Sequence, residues 1–247
     1  MTMEMSGTTA LVTGSTAGIG RAVAQQLADQ GAEVVVHGRN AQRGAETVDE
    51  ITARGGQARF AAADLSDPDD VRHLAAEAGD VDVLINNAGI YQFSSTPDVT
   101  PEMFDAHMAI NTRAPVLLVG ALAPGMASRH HGAIVSISTE AATTPARGAG
   151  VYGASKAALE LLTRAWADEF GAQGVRVNAV SSGPVRTPGT EVMGEDSLQS
   201  FARQTILGRP AEPDEIAEAI TFLASPRASY ITGAILDVQG GQLALSP

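Results

Sequence analysis

Short β-branched runs alternate with stretches of helical spacing along nearly the whole chain. TALVTG (9–14) reads as a buried strand. Residues 18–30 follow with Ile19, Val23 and Leu27 at helical intervals, and Gly31 is placed to end that helix. EVVVHG (33–38) is a second strand, and AETVDEITARGG (45–56) an amphipathic helix closed by paired glycines. RFAAADL (59–65) is a strand, 68–78 a helix and VDVLINNAG (81–89) a fourth strand. A long helix runs from about Pro101 into the 110s. GAIVSIS (132–138) and GVRVNAV (174–180) are strands on either side of a helix that opens near Tyr152. PDEIAEAITFLAS (213–225) is helical, and AILDV (234–238) is a last strand. This alternation predicts an α/β fold, with right-handed crossovers and a parallel sheet covered by helices on both faces.

Composition narrows the picture. A single α/β domain can run to 247 residues, although length alone would also permit two. No Ser/Gly/Pro run, charge block or internal repeat marks a linker. The lack of cysteine removes disulfides, thiolate chemistry and zinc–thiolate sites, and permits a reducing cytoplasm. A net charge of −12 argues against a nucleic-acid partner, which calls for basic clusters. The start lacks the basic and apolar regions of a secretory signal. The longest mostly apolar run, 114–127, is too short to span a bilayer and contains two prolines and two glycines. These features predict a soluble cytoplasmic protein with no membrane partner. No metal site is expected: the histidines show no H-E-x-x-H spacing, and DLSDPDD (64–70) suits an acid-rich helix start better than a calcium loop.

Candidate chemistry begins where the first strand meets its helix. Gly14, Ser15, Thr16, Gly18, Ile19 and Gly20 lie in a glycine loop between the two. Such a loop is either a bare tight turn or a cradle in which backbone N–H groups of the helix start face a pyrophosphate. At the end of the second strand, an acid would bind the ribose hydroxyls of an adenosine. This chain has Gly38 there, followed by Arg39. A guanidinium suits a 2′-phosphate, so NADP(H) is expected over NAD(H). Further on, Tyr152 and Lys156 are four residues apart and so share a helix face. That pair is either a solvated surface couple or a phenol tuned by an ammonium for acid–base work.

Taken in order, TGSTAGIG (13–20), NNAG (86–89), the Thr139 region and Tyr152-x-x-x-Lys156 resemble the short-chain dehydrogenase/reductase family. The resemblance runs from about Thr8 to Gly241, and the tail GRPAEPDEIAEAITFLASPRASYITGAILDVQGG (208–241) is similar to relatives of β-ketoacyl-carrier-protein reductases. It implies a single-domain Rossmann fold with a doubly wound, seven-stranded sheet. It also implies hydride transfer between a nicotinamide and a small-molecule carbonyl or alcohol. Tyr152 would be the general acid/base and Lys156 would lower its pKa and bind the nicotinamide ribose. Asn111 would hold a water in the proton relay. Asp64 and Leu65 would lie near the adenine, Asn87, Ala88 and Gly89 under the adenosine ribose, and Val185 and Thr187 near the carboxamide. The resemblance further implies a homotetramer built partly on the helix carrying Leu161, Leu162, Ala165, Trp166 and Phe170.

Two positions depart from the family pattern. The family serine lies thirteen residues before the tyrosine, which here is Thr139. Strand alternation turns Ser138 to the opposite face, so Thr139 is expected to hold the substrate oxygen. Ser182 stands where a proline is usual. These departures keep open a catalytically silent dinucleotide-binding sensor or scaffold, and an epimerase or dehydratase on the same scaffold. Substrate choice is expected in 90–100, 140–150 and 188–208, the last a possible lid.

Overall fold

The computed structural model describes residues 3–191 and 194–241. Its elements are β1 (Thr9–Val12), α1 (Gly18–Asp29), β2 (Glu33–Gly38), α2 (Ala41–Ala53), β3 (Gln57–Ala62), α3 (Pro68–Ala78) and β4 (Val83–Asn86). Then come α4 (Pro101–Met108), α5 (Ala114–Ser128), β5 (Gly132–Thr139), α6 (Gly150–Gly171) and β6 (Val175–Ser182). α7 (Pro188–Glu191), α8 (Glu195–Ala202), α9 (Pro213–Ala224) and β7 (Ile235–Val238) complete the order.

The seven strands form one parallel sheet in the order β3-β2-β1-β4-β5-β6-β7. This is a Rossmann-like single domain. Alternate residues of each strand feed two apolar layers. Val12, Val34, Val36, Ile85 and Val135 pack with Val23 and Leu27 of α1, Ile51 of α2 and Ile216 and Ile220 of α9. Leu11, Val35, Leu84 and Ile134 pack on the other face with Leu74 of α3, Leu118 and Met126 of α5, and Leu159 and Trp166 of α6. Strand order reverses between β1 and β4, which opens a crevice at their C-terminal ends.

Several boundaries move for local reasons. β3 stops at Ala62, short of the expected residue 65, because the Asp64 amide donates to Asp70 Oδ2 at 2.9 Å instead of continuing the ladder. α2 begins at Ala41, earlier than residue 45, because Asn40 Oδ1 accepts from the Arg43 amide at 3.0 Å and caps it. The long helix from Pro101 divides into α4, a π-helical turn at Ala109–Arg113, and α5. The segment 188–208 is not bare loop: it contains α7 and α8, while Val192 and Met193 lie outside the described residues. Asp67 caps α3 through the Asp69 amide, so the acids of DLSDPDD serve a helix start.

Gly44 on α2 lies flat against the Phe60 ring, where a methyl group would overlap the ring carbons. Helix propensity alone would favour alanine at this site by up to ~1 kcal/mol. Overpacking costs more, so Gly44→Ala should lower stability by about 1–2 kcal/mol, read as a lower urea midpoint with an unchanged slope.

Candidate active site

The glycine loop is built from beneath by buried polar groups. Thr13 Oγ1 accepts from the amides of Asn87 (3.0 Å) and Ala88 (3.1 Å), tying β1 to the end of β4. Asn87 Nδ2 donates to the carbonyls of Thr13 (2.8 Å) and Gly14 (3.1 Å). Gly14 has φ +64°, a conformation that favours glycine. A methyl on Gly20 would overlap both the Asn87 amide and the Gly14 carbonyl. α1 starts at Gly18 with Ala17 as its N-cap and no side-chain capping bond, so no side chain competes for its first N–H groups. This helix start, whose N–H groups no side chain caps, fits a pyrophosphate.

Ser15 departs from expectation. Its amide donates to the His37 carbonyl at 2.9 Å, and its hydroxyl bonds both the Val12 carbonyl (2.7 Å) and the His37 amide (2.9 Å). Ser15 therefore shapes the loop from inside, with both donors spent on protein. Thr16 packs against Gly38: a Cβ at 38 would lie 2.7 Å from Thr16 Cγ2. An acid at that position would have to displace Thr16. Arg39 is exposed immediately beyond, and its charge acts on Asp64. Asp64 is held below the usual carboxylate range first by the Ser66 amide and hydroxyl, then by Arg39. Leu65 is buried in the core layer beside α3. Ile19 packs against the α1–α9 layer. On the far side, Thr187 touches Gly18, while the Val185 side chain is buried in the core.

His37 carries a role that the sequence reading missed. Its Nδ1 accepts from the Gly14 amide at 3.0 Å, so Nε2 bears the proton and donates to the Ala63 carbonyl at 3.2 Å. Burial pushes its pKa from 6.5 to about 4, against the opposing pulls of the Ala63 hydrogen bond and the Asp64 charge. A neutral imidazole thus braces the glycine loop against the end of β3. The partners are 23 and 26 residues away, so no local pattern could reveal them.

The second half of the site stands on α6 and the end of β5. Ser138 Oγ turns away from the crevice and donates to Glu160 Oε1 at 2.6 Å, both groups being buried. Thr139, at the strand end, accepts from the Ala141 amide at 3.4 Å and sets its hydroxyl beside the Tyr152 phenol. Removal from water raises the Tyr152 pKa above its usual value, the Thr139 hydroxyl lowers it, and the nearby Tyr91 raises it. Lys156 is buried and donates to the Ile137 carbonyl at 2.7 Å; burial lowers its pKa to about 8. Asn111, in the π-helical turn, bonds the Ile90 amide (2.8 Å) and carbonyl (2.9 Å) and donates to Ser155 Oγ at 2.9 Å. It braces three segments together. A Cβ on Gly89 would lie 3.2 Å from Asn111 Oδ1 and 3.3 Å from Lys156 Nζ, so both groups border one small space. Ser182 Oγ reaches the Ser138 carbonyl at 3.4 Å.

Residues 14–242 match the family described as enoyl-(acyl carrier protein) reductase. An uncharacterised oxidoreductase of Methylorubrum extorquens is 36% identical over 249 residues, covering 96% of this chain and 98% of the relative. Among solved structures, a short-chain dehydrogenase/reductase family protein is 53% identical with a TM-score of 0.92, covering 96% of this chain and 98% of its own. A 3-oxoacyl (acyl-carrier-protein) reductase from Agrobacterium tumefaciens C58, with NADP bound, is 32% identical with a TM-score of 0.92; 97% of this chain and 95% of that one are covered.

The His37 brace makes stability depend on pH. The folded imidazole stays neutral down to about pH 4, whereas the unfolded one takes a proton near 6.5. Its contribution is complete above pH 6.5 and is lost as pH falls toward 4, by about 3 kcal/mol at most. In urea unfolding between pH 7 and 4.5, His37→Asn should show a slope of stability against pH that is shallower by up to about one proton.

Proposed function

We propose that this chain, which belongs to the short-chain dehydrogenase/reductase family of oxidoreductases, is an NADP(H)-dependent carbonyl reductase or alcohol dehydrogenase acting on a small molecule. The observation that carries this reading is that the Thr139 hydroxyl acts on the Tyr152 phenol one helical turn before buried Lys156, whose Nζ borders the same small space at Gly89 as Asn111. When bound, NADPH supplies the hydride. Tyr152, with its pKa above 10, holds a proton at neutral pH and gives it to the substrate oxygen. Thr139 offers that oxygen a second hydrogen bond. Lys156 has three donors and spends one on Ile137, leaving two for the nicotinamide ribose. The expected lowering of the Tyr152 pKa by Lys156 has no counterpart in the free protein, where burial, Thr139 and Tyr91 set it. Asn111 bonds Ile90 and Ser155 and holds the relay in place.

NADP(H) is favoured over NAD(H) by Arg39 and by Thr16, which excludes a side chain at Gly38. The NADP-bound Agrobacterium structure supports the same choice. The proposal extends to a homotetramer in the cytoplasm. Trp166 of α6 belongs to the core, but Leu161 on the same helix is 67% exposed, as an apolar subunit contact would require. The Thr139 hydroxyl acting on the phenol weighs against a silent dinucleotide sensor, because the departure at 139 keeps a hydroxyl beside Tyr152.

Tyr152→Phe should retain NADPH binding and lose turnover by about 10²–10⁴-fold. Thr139→Val should lower kcat, whereas Ser138→Ala should cost about 1–3 kcal/mol of stability and leave turnover per folded molecule intact. The opposite order would move the substrate-holding hydroxyl to Ser138. Reduction should decline as pH rises through about 8, where Lys156 loses its charge. Fluorescence titration should give tighter binding of NADPH than NADH, and Arg39→Asp should weaken or reverse that preference; equal affinities for the wild type would contradict NADP(H) selection.

A further inference from the structure

The loop between β4 and α4 places aromatic surface over Tyr152 that the proton-transfer chemistry does not use. Its backbone is tied at alternate residues. Ile90 is held by Asn111, the Gln92 amide donates to His107 Nε2 at 3.1 Å, and the Ser94 amide donates to the Gly148 carbonyl at 2.9 Å. His107 is itself buried and fixed: with Nε2 accepting, Nδ1 donates to the Met103 carbonyl at 2.8 Å. The two residues between these ties, Tyr91 and Phe93, turn their rings toward Tyr152. Tyr91 meets it edge-on at 6.1 Å between centroids and 62°, and Phe93 at 6.4 Å and 75°. The Tyr91 phenol extends to α7, where a Cβ on Gly189 would overlap its oxygen. Burial raises the Tyr91 pKa, so the phenol carries no charge at neutral pH. Phe93 is 48% exposed although its backbone is pinned on both sides.

Tyr91 and Phe93 therefore pack on the ring that carries the proton-donating hydroxyl, with His107 behind it, and the backbone of both is preset by hydrogen bonds. A preset wall lowers the ordering cost of binding. Aromatic rings gain most from another ring at an edge or offset face, by ~0.5–1.5 kcal/mol beyond burial. A charged substituent there would lose hydration with no counter-charge from either phenol or phenyl ring.

We propose that Tyr91 and Phe93 select uncharged ketones bearing an aryl ring on the carbonyl carbon, with Gly189 leaving room for the Tyr91 phenol to close the wall. This rests on the carbonyl-reductase reading above. The ring lies against Tyr91 and Phe93 while the carbonyl oxygen reaches Tyr152 and Thr139. In reduction, hydride from NADPH adds to the carbonyl carbon, the Tyr152 proton goes to the oxygen, and NADP⁺ and the secondary alcohol leave.

The test uses three methyl ketones: acetophenone, 2-butanone and acetoacetate. Steady-state NADPH oxidation should give kcat/KM at least ~10-fold higher for acetophenone than for either other ketone. Phe93→Ala should lower the acetophenone value by ~3–10-fold, mainly through KM, and leave 2-butanone and NADPH affinity nearly unchanged, and Tyr91→Ala should lower acetophenone more than 2-butanone. Tyr91→Phe should restore the acetophenone value. Calorimetric binding of acetophenone to the NADPH complex of Tyr152→Phe, with and without Phe93→Ala, reads the wall without turnover. Acetophenone binding that Phe93→Ala weakens, in an enzyme whose wild type reduces no ketone, would overturn the reductase reading and keep the wall. Equal losses across all three ketones, a wild-type preference for acetoacetate, or no acetophenone binding would overturn the wall.

Discussion

The bond from Lys156 Nζ to the Ile137 carbonyl, 2.7 Å long, is the contact on which the site depends. A buried ammonium is costly, and here that cost appears as a pKa lowered to about 8. The carbonyl is the acceptor that makes burial tolerable. In meeting it, α6 is fixed in height and rotation against the end of β5. One turn farther along α6, Glu160 takes the Ser138 hydroxyl. Successive residues of one strand are thus gripped by successive turns of one helix: Ile137 through its main chain and Ser138 through its side chain. Thr139 is left at the strand end, where its Oγ1 accepts from the Ala141 amide and its hydroxyl acts on Tyr152.

The opposite wall of the crevice follows a similar logic. The glycine loop has few side chains of its own to hold it, so its shape is imposed from β2 and β4. Thr13, Asn87 and His37 contribute buried hydrogen bonds that would each leave an unsatisfied group if removed. The two walls meet at Gly89, whose missing side chain leaves space between Asn111 and Lys156. The same Asn111 anchors Ile90, and with it the aromatic loop over Tyr152. Glycine loop, the start of α6 and the aromatic loop are therefore joined by hydrogen bonds around the β1–β4 switch point.

Much of this was legible in the residues. Strands buried on both faces read as continuous β-branched runs, and β2 lies at its expected bounds. The Pro68 start and the acids after it marked α3 correctly. The family spacing to Tyr152 pointed to Thr139 and strand alternation turned Ser138 to the other face, where its hydroxyl meets Glu160. The start of α2 carried a readable signal in Asn40, but AQRG lacks apolar spacing, so the cap went unused. The π-helical turn at 109–113 and α7 were not legible, because such short segments carry no period of their own, whereas α8 held a readable one in Leu198, Phe201 and Ala202. His37 looked idle for the same reason: its partners come from β1 and the end of β3, brought together only by the sheet. Tyr91 and Phe93 lay in a loop without a chemical code, and only the pinning of residues 90, 92 and 94 reveals their direction.

The chain has three tyrosines, which makes the central claim open to direct measurement. Titration of ¹³Cζ-labelled tyrosine by NMR, assigned with Tyr152→Phe, reads the Tyr152 phenol in the free protein and with NADP⁺ bound. The account expects a pKa above 10 in the free protein and a clear fall on NADP⁺ binding, whose positive charge would favour the phenolate. A Tyr152 resonance whose titration is the same with and without NADP⁺ would contradict it.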